Sequence, residues 1–195
     1  MKNLDRRNKY FFGLGTIGRD MFYAFEANAL LYFLSNILSL PIHVFAAVSL
    51  VLSVLRIADA LNDPITGLVI DNIHTKWGKF KPWQVIGSVV SSILLVVIFT
   101  GIFGLAKTNW ILFAILFVVI FITLDVFYSF CDVAYWGMVP AISEDSKERG
   151  VLTSFGSFTG SIGWNGLTII VVPVTTFFTF LATGKHEQGP QGWLA

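Results

Sequence analysis

Two aspartates, Asp59 and Asp63, stand four residues apart inside a long apolar segment of the chain. On a helix this spacing places both carboxylates on one face, with Cβ atoms about 5–6 Å apart. In a low dielectric, two carboxylates that close repel each other unless a cation or a proton lies between them. The spacing therefore predicts a cation-binding site at this pair.

A second cluster surrounds Asp132. Ser129 stands three residues before it, and Tyr128 and Trp136 stand four residues to either side, so all of them can line one helix face. A carboxylate beside an indole ring is a common way to hold a sugar, because hydroxyls donate to the carboxylate while the apolar sugar face stacks on the ring. The alternative for Trp136 is an aromatic anchor at a membrane interface.

The composition indicates what surrounds these residues. The chain of 195 residues is 55% hydrophobic and 13% charged, and it contains 19 phenylalanines. Soluble domains average about 25% charged residues. A soluble protein of this size could not bury so much apolar surface, so we expect a membrane protein. The lipid bilayer is then a partner, and no nucleic-acid partner is expected.

Five apolar segments reach or exceed the roughly 20 residues that a spanning helix needs. They cover residues 10–38, 44–73, 82–105, 110–139 and 150–182. These runs are far longer than the roughly 10 residues of a barrel strand, so the predicted fold class is an all-α membrane protein. After a polar loop, the final residues from Trp193 resemble the start of a sixth span. We therefore expect residues 1–195 to be a fragment of a longer membrane protein, cut as its sixth helix starts, with a genuine five-span protein as the alternative.

The basic residues between the segments predict the orientation. Nine lie in the loops that share a side with the N-terminus, and two lie in the opposite loops. The first set is Lys2, Arg6, Arg7, Lys9, Lys76, Lys79, Lys81, Lys147 and Arg149, and the second is Lys107 and Lys185. Positive residues concentrate on the cytoplasmic side, so we expect a multi-pass protein of the cytoplasmic (inner) membrane with a cytoplasmic N-terminus.

Ionisable residues inside the predicted spans point to a polar cavity, because each is unfavourable in a bilayer by at least about 2.5 kcal/mol at the helix centre. The carboxylates are Asp20, Glu26, Asp59, Asp63, Asp125 and Asp132, and the arginines are Arg19 and Arg56. The negative excess predicts that some carboxylates are protonated or face a cation. The roles of Glu26 and Asp125 stay open.

The loop after the second segment carries Asp71 followed by a basic run that includes Lys79 and Lys81. An aspartate at a cytoplasmic helix end and a basic loop can pair with charges on another helix. We predict a conformational latch from these three residues. A plain cytoplasmic basic loop is the alternative, and it would explain the lysines but not the aspartate.

Four stretches together resemble the glycoside-pentoside-hexuronide:cation symporter family of the major facilitator superfamily. They read YFFGLGTIGRD (10–20), RIADALNDPITG (56–67), KWGKFKPW (76–83) and DVAYWGMVPAI (132–142). The resemblance covers essentially the whole chain. It implies that residues 1–195 are the N-terminal transmembrane bundle of a transporter, with the first five of twelve helices, and that the C-terminal half is missing here. It implies a sugar transporter rather than an enzyme, with no cofactor beyond a coupling ion.

The resemblance also implies residue roles. The coupling cation would be bound by Asp59, Asn62, Asp63 and Ser129. The sugar would be bound by Asp20, Arg19, Tyr128, Asp132 and Trp136. A sugar-contacting arginine of a characterised member is matched here by Ser154, and Asp125 stands where that member has glycine. These differences put galactoside specificity in doubt and leave the sugar open among a pentoside, another glycoside and a hexuronide.

The predicted function is symport of a glycoside or other sugar with a monovalent cation. Oxygen-rich ligands suit a hard cation, so Na+ is the first choice. A proton would need only one carboxylate and remains the alternative. A membrane-embedded enzyme is a second hypothesis, although the chain has no HExxH, GxSxG or phosphate-loop motif. A non-transporting fragment is a third.

Overall fold

The computed structural model describes residues 6–38, 40–73, 75–186 and 188–193, without the side chains of residues 43, 58–61, 107 and 191. Eight α-helices are found in this part of the chain. They are α1 (Arg6–Ala24), α2 (Leu30–Tyr32), α3 (Ile42–Asn72), α4 (Lys81–Phe99), α5 (Gly101–Thr108), α6 (Trp110–Ile142), α7 (Ser146–Thr183) and α8 (Pro190–Trp193). The described residues contain no strand, apart from one isolated bridge between Thr75 and Gly78. The all-α prediction is confirmed.

The first helical stretch is continuous from residue 6 to residue 37 but changes its winding. Two π-helical segments, Phe25–Ala29 and Phe33–Ile37, flank the short α2. Segments with this wider winding are rare and are frequent at functional sites. The first of them carries Glu26, whose side chain is buried.

Helix α3 is bent. Its arms, Val44–Ile57 and Asn62–Asn72, meet at 51°. Pro64 lies just beyond the bend, and a proline ring collides with the carbonyl group four residues earlier and cannot donate the hydrogen bond that would hold the helix straight. The bend therefore lies at the segment that carries Asp59 and Asp63.

Helices α1 and α7 pack together through small residues. The hydroxyl groups of Thr16 and Thr159 are 2.8 Å apart across this contact. A Cβ added at Gly160 would collide with the carboxylate of Asp20, and one added at Gly163 would collide with the backbone carbonyl of Ile17. Glycine at these two positions is what lets the helices approach so closely, as small residues do between membrane helices.

Helices α4 and α6 form the second close pair. The backbone of Gly87 lies against the carbonyl group of Phe127, at a distance that leaves no room for a side chain. An apolar core rich in phenylalanine continues from this pair toward α8, where Trp193 stacks on Phe99 with ring centroids 5.7 Å apart. The functional side chains on α1 and α6 therefore lie on closely packed helices.

By length and composition, three stretches of the described residues can cross a membrane, namely Lys81–Ala106, Trp110–Ile142 and Ser146–Thr183. The two arms of α3 make a fourth if they count as one span. The first helical stretch is not among these because it is interrupted by π-helical segments and contains several charged residues. The number of five spans, and their limits in a bilayer, stay predictions.

Candidate functional site

A cavity of about 360 Å³ lies between α1, α3 and α6. Its walls combine carboxylates, guanidinium groups and hydroxyl groups. The lining residues are Arg19, Tyr23, Arg56, Asp63, Asp125, Tyr128, Ser129 and Asp132. Five of these eight, Arg19, Asp63, Tyr128, Ser129 and Asp132, were predicted as site residues. The structure thus brings residues from both predicted sites to one cavity.

Arg19 lies at the centre of one end of this cavity. Its Nη2 is 2.7 Å from Oδ1 of Asp20, and its Nε donates a hydrogen bond of 2.8 Å to the same oxygen. Its Nη1 is 3.0 Å from Oδ1 of Asp132, within ion-pair distance although the N–H does not point at the oxygen. One guanidinium thus contacts two acidic side chains, so acidic residues outnumber basic ones in this group of three.

Aromatic rings surround the Arg19 guanidinium. Its Cζ lies 4.9 Å from the ring centroid of Trp136, within the range of a cation–π contact. The hydroxyl of Tyr128 donates to the backbone carbonyl of Arg19 at 3.3 Å. Asp20 and Trp136 are not among the described residues that line the cavity, and both contact Arg19 instead. Their predicted roles in sugar binding stay predictions.

The structure describes the side chains of three of the four residues of the predicted cation site. Oγ of Ser129 donates a hydrogen bond of 2.7 Å to Oδ1 of Asp63, which joins α6 to α3. Asn62 is half-buried, and its Nδ2 has no hydrogen-bond acceptor among the described residues. The side chain of Asp59 lies outside the described residues. Two of the four predicted ligands are therefore in contact, and the set of four stays a prediction.

Neither cavity arginine neutralises Asp63. No ion pair within 4.0 Å involves Asp63 in the described part of the chain, since Arg19 contacts Asp20 and Asp132, and Arg56 contacts Glu26. The residues present are thus a carboxylate and a hydroxyl, which are ligands that a hard cation prefers. The described side chains include no group of three or more His, Cys, Asp or Glu residues that could hold a metal ion.

Arg56 and Glu26 form a contact that the sequence analysis left unassigned. Nη2 of Arg56 is 3.5 Å from Oε1 of Glu26, and Nη1 donates a hydrogen bond of 2.7 Å to the hydroxyl of Tyr23. The Glu26 side chain is 1% exposed, whereas that of Arg56 is 41% exposed. A smaller cavity of about 190 Å³ is lined by both residues. Arg56 therefore lies in the wall between two cavities.

The sequence analysis missed Tyr23 as a cavity residue, although a signal for it exists. Arg19, Tyr23 and Glu26 stand at positions i, i+4 and i+7, which is one face of a helix. This spacing predicts that Glu26 shares a helix face with Arg19 and Tyr23, and in the structure it lines the smaller cavity.

The predicted latch residues lie at the loop between α3 and α4. Nζ of Lys79 is 2.8 Å from Oδ1 of Asp71, and both side chains are substantially exposed. This contact closes the loop on its own helix rather than joining another helix. In the described part of the chain, Lys81 forms no ion pair within 4.0 Å. A role for these residues as a latch stays a prediction.

The sequence profile of the MFS/sugar transport protein family matches residues 11–195. The chain belongs to this family. It is a multi-pass membrane protein of a transporter family, and the resemblance that the sequence motifs indicated is confirmed. The three relatives described next are named as permeases and a carrier, which gives no support to the membrane-embedded enzyme. The family implies no organic cofactor.

Three relatives show how similar the chain is to named transporters. It is 63% identical to a lactose permease of Leuconostoc lactis over 188 residues. This alignment covers 93% of this chain and 29% of that protein. It is 53% identical to a lactose permease of Lactobacillus helveticus, over 94% of this chain and 30% of that protein. It is 35% identical to a raffinose carrier protein of Pediococcus pentosaceus, over 93% of this chain and 29% of that protein. The chain thus spans less than a third of the length of these relatives.

Proposed function

We propose that the chain forms the N-terminal bundle of a cation-coupled sugar symporter of the cytoplasmic membrane. One observation carries the proposal. The cavity between α1, α3 and α6 contains an Asp63–Ser129 contact and an Arg19–Asp132 contact, and their α6 residues are three positions apart. A cation at the first contact and a sugar at the second would lie within one helical turn of each other.

This closeness supplies a mechanism for coupling. A cation beside Asp63 would compensate a carboxylate that no arginine holds, and it would lower the negative potential that Asp132 meets. Sugar binding at Asp132 would then be favoured by the cation, and the effect is reciprocal, typically about 1–3 kcal/mol. The two halves of the complete transporter would rock about this site to expose it to either side in turn.

Na+ is the first candidate for the coupling ion, and H+ is the alternative. The contact of Asp63 with a hydroxyl, together with Asn62 and Asp59 on the same helix, would give an oxygen-rich set that suits a hard cation. A proton would need only one of these carboxylates.

An oligosaccharide with galactose is the first candidate for the sugar. The relatives that are 63% and 53% identical are named as lactose permeases. These names outweigh the doubt about galactosides that the loss of an arginine at Ser154 had raised. Ser154 lies on α7, outside the described lining of the cavity, so its change need not alter sugar binding there.

Uptake of lactose by proteoliposomes that contain the complete transporter tests the proposal. An inward Na+ gradient or, separately, an inward H+ gradient should drive accumulation. We expect the effect of the coupling ion to be lost in Asp59→Cys and Asp63→Cys. If both variants kept full coupling, the proposed cation site would be wrong. If no ion gradient drove uptake of lactose or of another glycoside by the wild type, symport itself would be wrong.

The membrane topology belongs to the same proposal. The basic loops predict that the N-terminus and the α3–α4 loop face the cytoplasm. Single cysteines at Lys9 and Trp77 should resist a membrane-impermeant thiol reagent in intact cells and react once the membrane is opened. Labelling of both sites in intact cells would reverse the orientation.

A further inference from the structure

Arg56 lines the cavity but has no role in the proposed function. It shares the cavity wall with Asp63, and both residues belong to α3. The predicted ligand Asp59 stands three positions after Arg56 in the sequence. A guanidinium is always charged and binds carboxylates strongly, often through two parallel hydrogen bonds. Arg56 is therefore a built-in competitor of the coupling cation for the carboxylates of its own helix.

The structure directs the Arg56 guanidinium to another helix. Its Nη2 is 3.5 Å from Oε1 of Glu26, and its Nη1 donates a hydrogen bond of 2.7 Å to the hydroxyl of Tyr23. Its Cζ also lies 5.3 Å from the centroid of the Tyr23 ring. In the described part of the chain no ion pair within 4.0 Å joins Arg56 to Asp63. The first helical stretch thus holds the guanidinium by a charge and by a hydroxyl.

Burial shows which partner of this ion pair is fixed. The side chain of Glu26 is 1% exposed, and that of Arg56 is 41% exposed. A carboxylate buried at this depth is unfavourable without a positive partner, whereas an exposed guanidinium can be solvated by water. Glu26 also lies on the π-helical segment Phe25–Ala29, whose backbone is part of the continuous first stretch. Glu26 is therefore the anchor, and Arg56 is the group that can reorient.

We propose that Glu26 is a positioning residue for the coupling cation: it holds Arg56 at the first helical stretch and so keeps Asp63 available to the cation. The inference rests on the proposed function and adds to its cation site a residue that does not touch the cation. Ser129 stays the direct contact of Asp63, and Glu26 acts through Arg56 alone.

Loss of the Glu26 charge would release Arg56 toward the carboxylates of the cavity. Asp63 shares that cavity and contacts a hydroxyl rather than a guanidinium, so it would gain from the released charge. The coupling cation would then have to displace a guanidinium, and its affinity would fall. Sugar binding at Asp132 would change less, because Arg19 already lies 3.0 Å from that carboxylate.

Na+-dependent thermal stabilisation of the purified complete transporter tests this role, and lactose binding at saturating Na+ is measured beside it. In Glu26→Gln we expect the Na+ affinity to fall about tenfold, while lactose affinity stays within about twofold. In the double variant Glu26→Gln/Arg56→Gln the competitor is gone, so the Na+ affinity should return to within about threefold of the wild type. A merely structural role of the pair would not give this recovery, since the double variant lacks both partners.

Two further variants complete the test. Ser53→Ala is the matched control in the smaller cavity, because its hydroxyl donates to the carbonyl of Ser49 and not to Arg56. Its Na+ affinity should stay within about twofold of the wild type. Glu26→Asp keeps the charge on a shorter side chain and serves if Glu26→Gln does not fold. It should lower the Na+ affinity about threefold, and Arg56→Gln should again restore it.

Unchanged Na+ affinity in the folded Glu26 variants would overturn the positioning role. A loss that persists when Arg56→Gln is added would overturn it as well, since Glu26 would then act on the cation by another route. A wild type whose melting temperature did not respond to Na+ would contradict the proposed Na+ site itself, and the inference would fail with it. That result differs from a normal wild-type response that the Glu26 variants share.

Discussion

The hydroxyl of Ser129 on α6 donates a 2.7 Å hydrogen bond to Asp63 on α3. This contact joins α3, which carries three of the four predicted cation ligands, to α6, which carries three of the five predicted sugar ligands. Asp63 lies on the Asn62–Asn72 arm of the bent helix, and its orientation depends on a residue of another helix.

Removal of this hydroxyl should weaken the cation site. In the complete transporter, Ser129→Ala should reduce the apparent Na+ affinity about tenfold, which corresponds to about 1.4 kcal/mol, because Asp63 loses its donor and the ion loses an oxygen ligand. Ser129→Thr keeps the hydroxyl and should stay within twofold. Na+-dependent thermal stabilisation measures both. Equal Na+ affinity in Ser129→Ala and the wild type would remove Ser129 from the site.

Loss of the Arg19 guanidinium should abolish tight sugar binding. Arg19→Gln leaves the carboxylates of Asp20 and Asp132 without their guanidinium partner, and loss of these partly buried ion pairs is destabilising. We expect at least a tenfold loss of lactose affinity and a lower melting temperature. Arg19→Lys, which keeps the charge but not the planar fork, should recover stability more than affinity. A melting temperature equal to that of the wild type in Arg19→Gln would show that the two ion pairs contribute little.

The Glu26–Arg56 pair is suited to a double-mutant cycle. Glu26→Gln and Arg56→Gln each remove one charge of the pair and leave the other. The loss of stability that involves Arg56 is moderated by solvent, because this side chain is 41% exposed. We expect a coupling free energy of about 1 kcal/mol, and the double variant should be less destabilised than the sum of the single variants. Thermal or denaturant unfolding in detergent measures it. Simple additivity would mean that the 3.5 Å contact carries no net interaction.

The glycine contacts between α1 and α7 predict that the effect of a Gly→Ala change on stability depends strongly on its position in α7. Gly160→Ala and Gly163→Ala should each destabilise the protein by about 1–3 kcal/mol, as overpacking does, because an added methyl group meets the Asp20 carboxylate or the Ile17 carbonyl. Gly166→Ala is the matched control on the same helix, since its Cβ position has no neighbour within 4 Å in the described residues apart from the adjoining helix backbone. Its melting temperature should be unchanged or higher. A similar loss at all three positions would contradict close packing at Gly160 and Gly163.

Much of this arrangement was predictable because a bilayer leaves few choices to a chain. Long apolar runs require helices, and charged residues within them must face a cavity. The helical spacing of Tyr128, Ser129 and Asp132 was enough to place them on one face, and the structure puts all three in the cavity wall.

The partners of each charge were harder to predict. Which carboxylate a guanidinium reaches depends on how α1, α3 and α6 pack, and sequence spacing carries no information about contacts between helices. The spacing of three residues between Arg56 and Asp59 is compatible with a local partner, and only the structure shows that Arg56 contacts Glu26 on the first helical stretch, 30 residues earlier. The π-helical segment that carries Glu26 has no clear sequence signal. Its wider winding changes which of the later residues share a helix face with the residues before it.

The interlocked contact of α1 with α7 limits how the protein can move. Where the backbone of one helix packs directly against the other, neither helix can slide or rotate without a collision. The two helices should therefore move together as one rigid body. Among its described residues α3 shows no such backbone contact, and it bends between Ile57 and Asn62, next to its predicted ligands. Relative motion within the bundle is therefore expected between α3 and the α1–α7 pair. Arg56 of α3 donates a hydrogen bond to Tyr23 of α1 at this boundary.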